Sequence, residues 1–449
     1  MNIFKFFLFN FSNVQFKRIF KNFTSQISLN ISSTIIQIFF PPLMILVYGL
    51  ENFGIWIFLT TIPLTFEILN FNINAAAKTE MSVYFNQKNK KKLCEIFTNS
   101  VFPSLFLIFF LIILSGLLIF FYDFNLNILQ GLKNNDLNVI LACVFIPFYL
   151  HLINSILITG ITYSGKLYID TYIQIIFDFF TKTLIISFGL IFENILFAAI
   201  AFLAGNILKT FVFYFYYLNC NKKIKLFSIK LLSQKQVIRL FKLSIPYYFE
   251  SINILLKNSY QIIILGLFFN AQLVGIVSTF KTLFYFLPIK AWGIINNVFI
   301  YEFTKFYAQY KFNLLYKLYT KFIKLYCFSI VIFISISIFS GEFIYNLWLN
   351  NSYNFDYTLL LLIILDVSIL SMAHYISIVN RAINNFFEVS LFAVLVNLCI
   401  ILVTYQFFIN EKNFYVLFIL NLTGAVLMLF FNIYRSKKLS NKLMKISIK

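Results

Sequence analysis

Five lysines lie inside long apolar stretches of this 449-residue chain. They are Lys182, Lys209, Lys257, Lys281 and Lys290. Because a charge in hydrocarbon is costly, such a lysine is expected either to pair with a carboxylate or to bind an anionic group such as a phosphate. Lys182 follows Asp178 by four residues, a spacing that predicts a local ion pair on one helix face. Lys209 and Lys290 lie toward the basic ends of their stretches, where a long side chain can reach the lipid headgroups.

Lys257 belongs to a polar stripe in the apolar stretch 241–268. Glu250, Asn253, Lys257 and Gln261 fall within about one quadrant of a helix, since seven residues return to nearly the same angle. Exposing polar groups at these positions to lipid would cost free energy, so the stripe predicts a water-filled cavity. Glu250, Asn253 and Lys257 are then expected to be among its substrate contacts. Glu250 lies on the same face as Lys257, which predicts that this pair exchanges partners when a phosphate or a proton arrives.

The first two apolar stretches carry similar stripes. Their members are Asn30, Thr34 and Gln37 in the first, and Thr60, Pro63, Glu67, Asn70 and Asn74 in the second. We therefore expect Gln37 and Glu67 to line the same kind of cavity.

Three carboxyl groups and one imidazole are candidates for ion coupling. Burial in a low dielectric favours the protonated carboxylic acid, so Glu67, Glu250 and Asp366 could take up a proton, with His374 as a further candidate. For Asp366 and His374, a satisfied interhelical hydrogen bond is the stronger alternative.

The five cysteines lie far apart and the two histidines lack ligand spacing, so we expect no disulfide, no metal site and no cofactor.

The elements that carry these residues are membrane helices. The chain is 61% hydrophobic and only 12% charged, with a mean hydropathy of +0.85, which excludes a soluble globular protein. Twelve stretches are long enough to span a bilayer. They are 25–49, 53–74, 98–121, 138–160, 169–190, 195–218, 241–268, 272–297, 318–340, 356–378, 387–408 and 413–434. Because the basic residues responsible for the net charge of +20 flank these stretches, we expect no nucleic-acid partner.

Of the 36 Lys and Arg, 29 fall in segments that lie on one side of the membrane if these stretches cross it in turn. Loops rich in Lys and Arg stay cytoplasmic, so both termini are predicted to lie in the cytoplasm. Lys133 and Lys412 are the exceptions on the other side. The segment 1–24 is predicted to be interfacial and amphipathic.

The chain also carries a weak internal repeat. When the chain is aligned with itself so that Arg18 falls on Arg239, Phe20 and Lys21 fall on Phe241 and Lys242. Without a gap, Gly54, Ile55 and Thr61 then fall on Gly275, Ile276 and Thr282. We call this shift the repeat offset. Chance similarity in a biased composition is the alternative.

The repeat offset indicates which of two membrane lysines, Lys281 or Lys290, faces the predicted cavity. It places Lys281 on Thr60 of the polar stripe and Lys290 on Leu69. A spacing of nine positions also sets these two lysines about 180° apart on a helix, so both cannot point into one cavity. Lys281 is therefore the better cavity cation.

These patterns predict five regions. An interfacial segment 1–24 precedes an N-terminal six-helix lobe 25–218, and a basic cytoplasmic linker 219–240 leads to a C-terminal six-helix lobe 241–434 and a basic tail 435–449. Because six is even, the two lobes are parallel repeats, an arrangement that places a substrate site between them. Prolines in the first two spans of each lobe are candidate bending points. They are Pro41, Pro42, Pro63, Pro246 and Pro288.

Two motifs then indicate a family. The string Tyr48-Gly49-Leu50-Glu51-Asn52-Phe53-Gly54-Ile55-Trp56, followed by Ile68-Leu69-Asn70-Phe71-Asn72, resembles the entry segment of bacterial polysaccharide-export flippases of the multidrug/oligosaccharidyl-lipid/polysaccharide superfamily. Gly341 to Asn350 resembles the Leu-Trp-Leu-Gly stretch after that family's ninth helix. Asn70-Phe71-Asn72 departs from the family's Asp-apolar-Gly, and Asn350 replaces its last Gly.

The resemblance implies an all-α, V-shaped architecture like that of the multidrug and toxin exporters. It implies an inner-membrane flippase, not an enzyme, that moves an undecaprenyl-diphosphate-linked oligosaccharide to the periplasmic leaflet by alternating access for O-antigen or capsule assembly. Its partners would be that lipid-linked oligosaccharide, membrane lipids and other polysaccharide-assembly membrane proteins. Lys257 and Lys281 would then bind the diphosphate, and no residue would be catalytic.

Three other functions remain open. A multidrug exporter of the same superfamily shares the twelve-helix plan. A membrane polysaccharide polymerase or glycosyltransferase usually carries a long external loop or domain, whereas the external connections here are short. The lipid II flippases usually add two helices, and this chain is expected to end after twelve.

Overall fold

The computed structural model describes residues 13–121, 127–129, 132, 134–221, 226–309, 312–350, 355–383 and 385–447. Most of them are helical. The helices are α1 (Asn13–Thr65), α2 (Ile73–Asn86), α3 (Lys90–Phe121), α4 (Asn134–Thr162), α5 (Leu167–Phe192), α6 (Ile195–Cys220), α7 (Gln234–Phe268), α8 (Ala271–Lys281), α9 (Leu287–Ala308), α10 (Phe312–Trp348), α11 (Tyr357–Ile376), α12 (Ile378–Ala382), α13 (Phe387–Asn410) and α14 (Tyr415–Ser447). Residues 1–12 of the predicted interfacial segment lie outside the described residues.

Eleven helical stretches within the described residues are long and apolar enough to cross a membrane. The first, Thr24–Leu69, is 46 residues long. At 1.5 Å per residue it measures about 70 Å, roughly twice the hydrocarbon thickness, so it must cross twice. The turn between the two crossings is at Gly49, which has the left-handed φ of 82° that glycine adopts without strain. When Thr24–Leu69 is counted as two spans, the eleven helical stretches correspond to the twelve predicted spans.

The second predicted span does not remain an α-helix to its end. α1 stops at Thr65, a 3₁₀ turn follows at Phe66–Leu69, and Asn72 is left-handed with φ 52°. The backbone amide of Asn72 donates to Asn70 Oδ1 at 3.1 Å, so the asparagine pair closes a local turn. The helical stripe predicted from Thr60 to Asn74 is therefore interrupted after Glu67, because a 3₁₀ turn and a left-handed residue change the angle at which later side chains project.

The described residues form two compact units. The first comprises the described parts of Met1–Leu43, Leu69–Phe124 and Leu132–Tyr247. Its core lies where α4, α5 and α6 meet, at Leu157, Ile161, Ile173 and Phe213. Asn74 donates to Ser155 Oγ at 2.9 Å and is therefore a packing residue of this unit.

The described part of the basic linker is fixed to α3 of the same unit. Asn99 Nδ2 donates to the carbonyl of Leu231 at 3.0 Å, and the amide of Ser233 donates to Asn99 Oδ1 at 2.7 Å. The amide of Ser228 donates to Thr98 Oγ1 at 3.0 Å. Two buried side chains of α3 thus use their polar atoms to hold the linker backbone, as buried polar groups generally require.

The second unit comprises the described parts of Met44–Ile68, Asn125–Gly131 and Tyr248–Lys449. It therefore includes the second crossing of α1, which the sequence assigns to the N-terminal lobe. α11 lies at the centre of this unit, with Leu359, Ile364, Val367 and Ala373 fully buried.

Within this second unit, the two glycines aligned by the repeat offset lie at one helix crossing. A Cβ added at Gly54 of α1 would overlap the carbonyl oxygen of Ala271, while a Cβ at Gly275 of α8 would meet the Leu50 carbonyl oxygen at 2.9 Å. The same offset aligns Leu50 with Ala271. The contacts are therefore reciprocal, as they are across a two-fold axis, which supports the repeat against chance similarity.

This crossing makes a testable prediction. Gly54→Ala should lower the thermal stability of the full-length protein by several degrees, because overpacking costs about 1–3 kcal/mol where backbone must shift. Gly116→Ala is the matched control, since a Cβ there meets no atom within 4 Å. Thermal unfolding of both purified variants in detergent measures the difference. Equal melting temperatures for Gly54→Ala and Gly116→Ala would contradict the close crossing.

Candidate functional site

The polar stripe of α7 is present, and each of its side chains contacts a different helix of the second unit. Near the basic end of α7, Glu250 forms an ion pair with Arg381 of α12, with Nη1 to Oε1 at 3.1 Å. One turn further, Asn253 Oδ1 accepts from Asn397 Nδ2 of α13 at 2.7 Å. The sequence predicted that this face avoids lipid, and it does so by contacting other helices.

Lys257 lies in the next turn of the same stripe and is buried. Its Nζ lies 2.9 Å from Asp366 Oδ1 of α11, and both side chains are 8% exposed. The predicted partner was Glu250, but residues seven apart on a helix are separated by about 10 Å along the axis, too far for an ion pair. Asp366 is 109 positions away in the chain and is brought to Lys257 by packing of α11 on α7.

Gln261 completes the stripe and links two further helices. Its Nε2 donates to Asn421 Oδ1 of α14 at 2.9 Å, and its Oε1 accepts from Lys281 Nζ at 3.0 Å. Both amide ends of Gln261 are therefore used. We refer to Lys257, Asp366, Gln261, Lys281 and Asn421 together as the lysine cluster.

Lys281 is the most buried lysine of the cluster, at 3% exposure. Besides Gln261, its Nζ faces the rings of Tyr285 and Phe286, 5.3 and 5.6 Å from their centroids. Both distances lie within cation–π range. Among the residues that the structure describes, no carboxylate lies within ion-pair distance of Lys281.

A π-helical segment begins directly after Lys281. It spans Thr282–Phe286 and joins α8 to α9. Pro288 follows, and because proline has no amide hydrogen the carbonyl four residues earlier loses its usual partner. A π turn has more residues than an α turn, so the predicted separation of about 180° between Lys281 and Lys290 around the helix does not hold. The direction of the Lys281 side chain is shown by its contacts with Gln261, Tyr285 and Phe286. Such π segments are frequent at functional sites.

The cluster contains two lysines and one carboxylate. Lys257 is balanced by Asp366, whereas Lys281 is held by an amide oxygen and two aromatic rings. Because charges interact strongly in a low-dielectric interior, Lys257, Asp366 and Lys281 are expected to influence one another. The arrangement can exchange partners: an incoming anion at Lys281 would also compete with Asp366 for Lys257.

The wet cavity predicted for this stripe is small. One cavity of about 20 Å³, lined by Glu250, Asn253, His374 and Arg381, has room for one water molecule. A second, of about 130 Å³, also reaches His374 and Arg381 and is bordered by Trp292. Further along the stripe, Lys257 and Gln261 contact Asp366, Lys281 and Asn421 directly. His374 lines both of these small cavities.

The remaining predicted residues are not brought into the lysine cluster. Gln37 belongs to the first unit, where its buried Oε1 has no hydrogen-bond partner among the described residues. Glu67 lies in the 3₁₀ turn after α1 and is partly exposed.

Two of the other membrane lysines pair differently from the prediction. Asp178 contacts Lys209 of α6 at 2.7 Å instead of Lys182. Lys182 lies over the ring of Phe40, 4.0 Å from its centroid. A local pair four residues apart contributes only about 0.2–0.5 kcal/mol, so a well-placed lysine from a neighbouring helix can replace it.

Sequence reasoning missed five residues that contact the predicted ones. They are Asn421, Tyr285, Phe286, Asn397 and Arg381. Asn421 had a usable signal, since it is a strongly polar side chain in the middle of an apolar span. Tyr285 had none, because 27 tyrosines are spread through the chain.

No family sequence model matches this chain, and no curated protein sequence is a significant match. Its fold is similar to that of solved structures. One is an inward-facing multidrug resistance MATE family transporter of the MOP superfamily, with a TM-score of 0.62 and 14% identity over 93% of this chain and 95% of that one. Another is the lipid II flippase MurJ in an inward closed conformation, with a TM-score of 0.68 and 15% identity over 94% and 91%.

A third similar structure is a MOP superfamily transporter from Pyrococcus furiosus whose binding pocket is described as having reverse polarity. Its TM-score is 0.54 at 13% identity, over 93% of this chain and 96% of that one. At such identities the similarity establishes the fold. The predicted fold class, an all-α membrane protein of twelve spans, is confirmed.

Proposed function

We propose that this chain, which shares its fold with MOP-superfamily transporters, is a bacterial inner-membrane flippase for an undecaprenyl-diphosphate-linked oligosaccharide. It would carry this lipid from the cytoplasmic to the periplasmic leaflet by alternating access, for O-antigen or capsule assembly. Both termini would be cytoplasmic, as the one-sided distribution of Lys and Arg predicts. Other polysaccharide-assembly membrane proteins would be its partners.

The observation that carries this proposal is the charge of the lysine cluster. Asp366, the one carboxylate of the cluster, pairs with Lys257, so Lys281 has no acidic partner among the described residues. Keeping an uncompensated charge inside a membrane protein is costly unless the charge has a ligand. A diphosphate is a ligand of the required sign. A cationic drug is not, which is why the polarity of the cluster favours an anionic substrate.

The cluster also suggests how the substrate is released. When the diphosphate contacts Lys281, the electrostatic link to Lys257 would weaken the Lys257–Asp366 pair, and Asp366 would become free to bind a proton. Loss of the proton would restore the pair and displace the diphosphate. Asp366 is thereby the preferred ion-coupling group of this proposal, with Glu250 and His374, which line one small cavity of the same unit, as further candidates.

The other predicted substrate contacts, Glu250, Asn253, Gln37 and Glu67, would bind the remaining parts of the substrate or its coupling ion. Glu250 and Asn253 extend the polar face of α7 and would meet the sugar nearest the diphosphate. Gln37 and Glu67 would contact the oligosaccharide or its coupling ion. Their hydrogen-bonding side chains suit hydroxyl-rich ligands, whereas the lysines suit the diphosphate.

Deletion of the gene tests the function directly. The source bacterium should lose its surface polysaccharide and accumulate the lipid-linked repeat unit, and the wild-type chain should restore both. Because the main competing function is multidrug export, the same strains should be exposed to cationic dyes. Increased dye sensitivity with a normal surface polysaccharide would overturn the flippase proposal and support the exporter.

A further inference from the structure

A second binding site is indicated by a large cavity that takes no part in the lysine cluster. It measures about 640 Å³ and lies in the second unit, between the first turns of α10, the end of α11 with α12, and residues 433–439 of α14. No residue of the lysine cluster lines it. Small-molecule sites typically measure roughly 300–1000 Å³, and this cavity falls within that range.

Two lysines and a set of apolar side chains line this cavity at different depths along the helices. Lys317 of α10 and Lys437 of α14 line its basic end. Ile323 lies six residues further along α10 than Lys317, and Ile433 precedes Lys437 by four, so both lie about 6–9 Å deeper in the same direction. Met372 of α11 borders this deeper part. The lining deeper than the two lysines is therefore apolar, and Phe312, Leu315 and Leu439 border the cavity on the other side of them.

The surroundings place the basic end at a membrane surface. Tyr316, which also lines the cavity, is 53% exposed, and Leu314 and Leu325 of the same helix are 48% and 54% exposed. Exposed leucines on a membrane helix face lipid, and tyrosine is enriched where lipid meets water. Loops rich in lysine mark the cytoplasmic side. The cavity thus opens toward lipid at the level of the cytoplasmic headgroups.

We propose that this cavity binds one anionic phospholipid of the cytoplasmic leaflet. The phosphate would lie between Lys317 and Lys437, and an acyl chain would occupy the part lined by Ile323, Met372 and Ile433. Charge complementarity identifies the headgroup, since basic pockets between membrane helices on the cytoplasmic side suit anionic headgroups. The apolar part of the cavity favours a lipid over free phosphate, because free phosphate would bind only the lysines and leave that part empty.

A bound lipid of this kind would join two helices on opposite sides of the cavity. α10 supplies one wall and α14 the other, and the floor is the Ile376 and Val379 region of α11 and α12. Because a ligand that binds only the folded state stabilises it, the lipid is expected to raise the melting temperature of the protein. This inference is independent of the proposed transport substrate.

The test compares two double variants of the full-length protein by native mass spectrometry. Lys317→Gln/Lys437→Gln removes both cavity lysines. Lys321→Gln/Lys438→Gln removes the same charge from the same helices at exposed positions that do not line the cavity. Each protein is purified from vesicles of phosphatidylglycerol and phosphatidylcholine in equal amounts.

The expected result is a loss of at least 10-fold in retained phosphatidylglycerol for the cavity variant, with the control variant like the wild type. Equal losses in both variants would overturn the proposal, because they would indicate diffuse attraction to a basic surface. Equal retention of phosphatidylcholine by the wild type would also overturn it, and so would displacement of the bound lipid by millimolar inorganic phosphate.

A third variant keeps the charges and fills the space. Ile433→Trp should displace the lipid while leaving Lys317 and Lys437 in place, and should remove the rise in melting temperature that phosphatidylglycerol produces in the wild type. Full lipid retention by folded Ile433→Trp would contradict the assignment of the acyl chain to this cavity.

Discussion

Replacing Lys281 by glutamine is expected to abolish surface polysaccharide in a strain that depends on this chain, while the protein remains folded and inserted. Glutamine keeps a hydrogen-bond donor for Gln261 and removes the charge. Loss of one partner from a buried, hydrogen-bonded charge interaction costs about 2–5 kcal/mol. Because about 1.4 kcal/mol corresponds to a tenfold change in affinity, undecaprenyl diphosphate should bind the purified variant at least 10-fold more weakly.

Lys290→Gln provides the matched control for this prediction. It removes the same charge from the helix that continues beyond the π-helical segment, at a side chain that is not part of the lysine cluster. Binding of undecaprenyl diphosphate to both variants is measured by native mass spectrometry, and surface polysaccharide by gel analysis of the strains. Normal polysaccharide in the Lys281→Gln strain would remove this lysine from the transport mechanism.

The second large effect is expected from separating Lys257 and Asp366. Either Lys257→Met or Asp366→Leu leaves one buried charge without its partner, which costs about 3–5 kcal/mol. We expect each single variant to be poorly folded. The double variant Lys257→Met/Asp366→Leu should recover its stability, because an apolar pair of similar volume replaces a buried ion pair at little or no cost.

The double variant also separates structure from function. If the pair exchanges partners with the diphosphate, the recovered protein should be stable and inactive. A stable double variant that supports normal surface polysaccharide would show that the pair is structural only.

The Arg381–Glu250 pair serves as the comparison for this cycle. Its side chains are 31% and 34% exposed, so breaking it should have a smaller effect on unfolding. Thermal unfolding of all variants gives the coupling energy of each pair.

The parts of this structure that depend on local sequence could be predicted. Twelve spans follow from apolar length, and the polar face of α7 follows from helix geometry. The alignment of Gly54 with Gly275 followed from the repeat offset. Each of these needs only the positions of residues along one or two helices.

The pairing of charges could not be predicted in the same way. Lys257 has Glu250 on its own helix face, and Lys182 has Asp178, yet the structure pairs Lys257 with Asp366 and Asp178 with Lys209. Which helix lies next to which decides these contacts, and one sequence does not contain that information. The local alternatives are also weak, so packing easily overrides them.

Backbone irregularities account for the remaining differences. The 3₁₀ turn at Phe66–Leu69 and the π-helical turn at Thr282–Phe286 each change the angle between residues before and after them. Predictions from an ideal helix therefore failed from Glu67 to Asn74 and from Lys281 to Lys290. Both irregularities lie close to prolines, Pro63 and Pro288, which are signals of them in the sequence.

The reciprocal contact of Gly54 with Ala271 and of Gly275 with Leu50 bears on the origin of the chain. Two separate copies of a six-span ancestor, inserted in parallel, would make this contact twice across a homodimer interface. Gene fusion would have joined them. In such an ancestor any inward-facing cation would have occurred twice. In the present chain the position equivalent to Lys281 is Thr60, so the two halves now differ at this buried position.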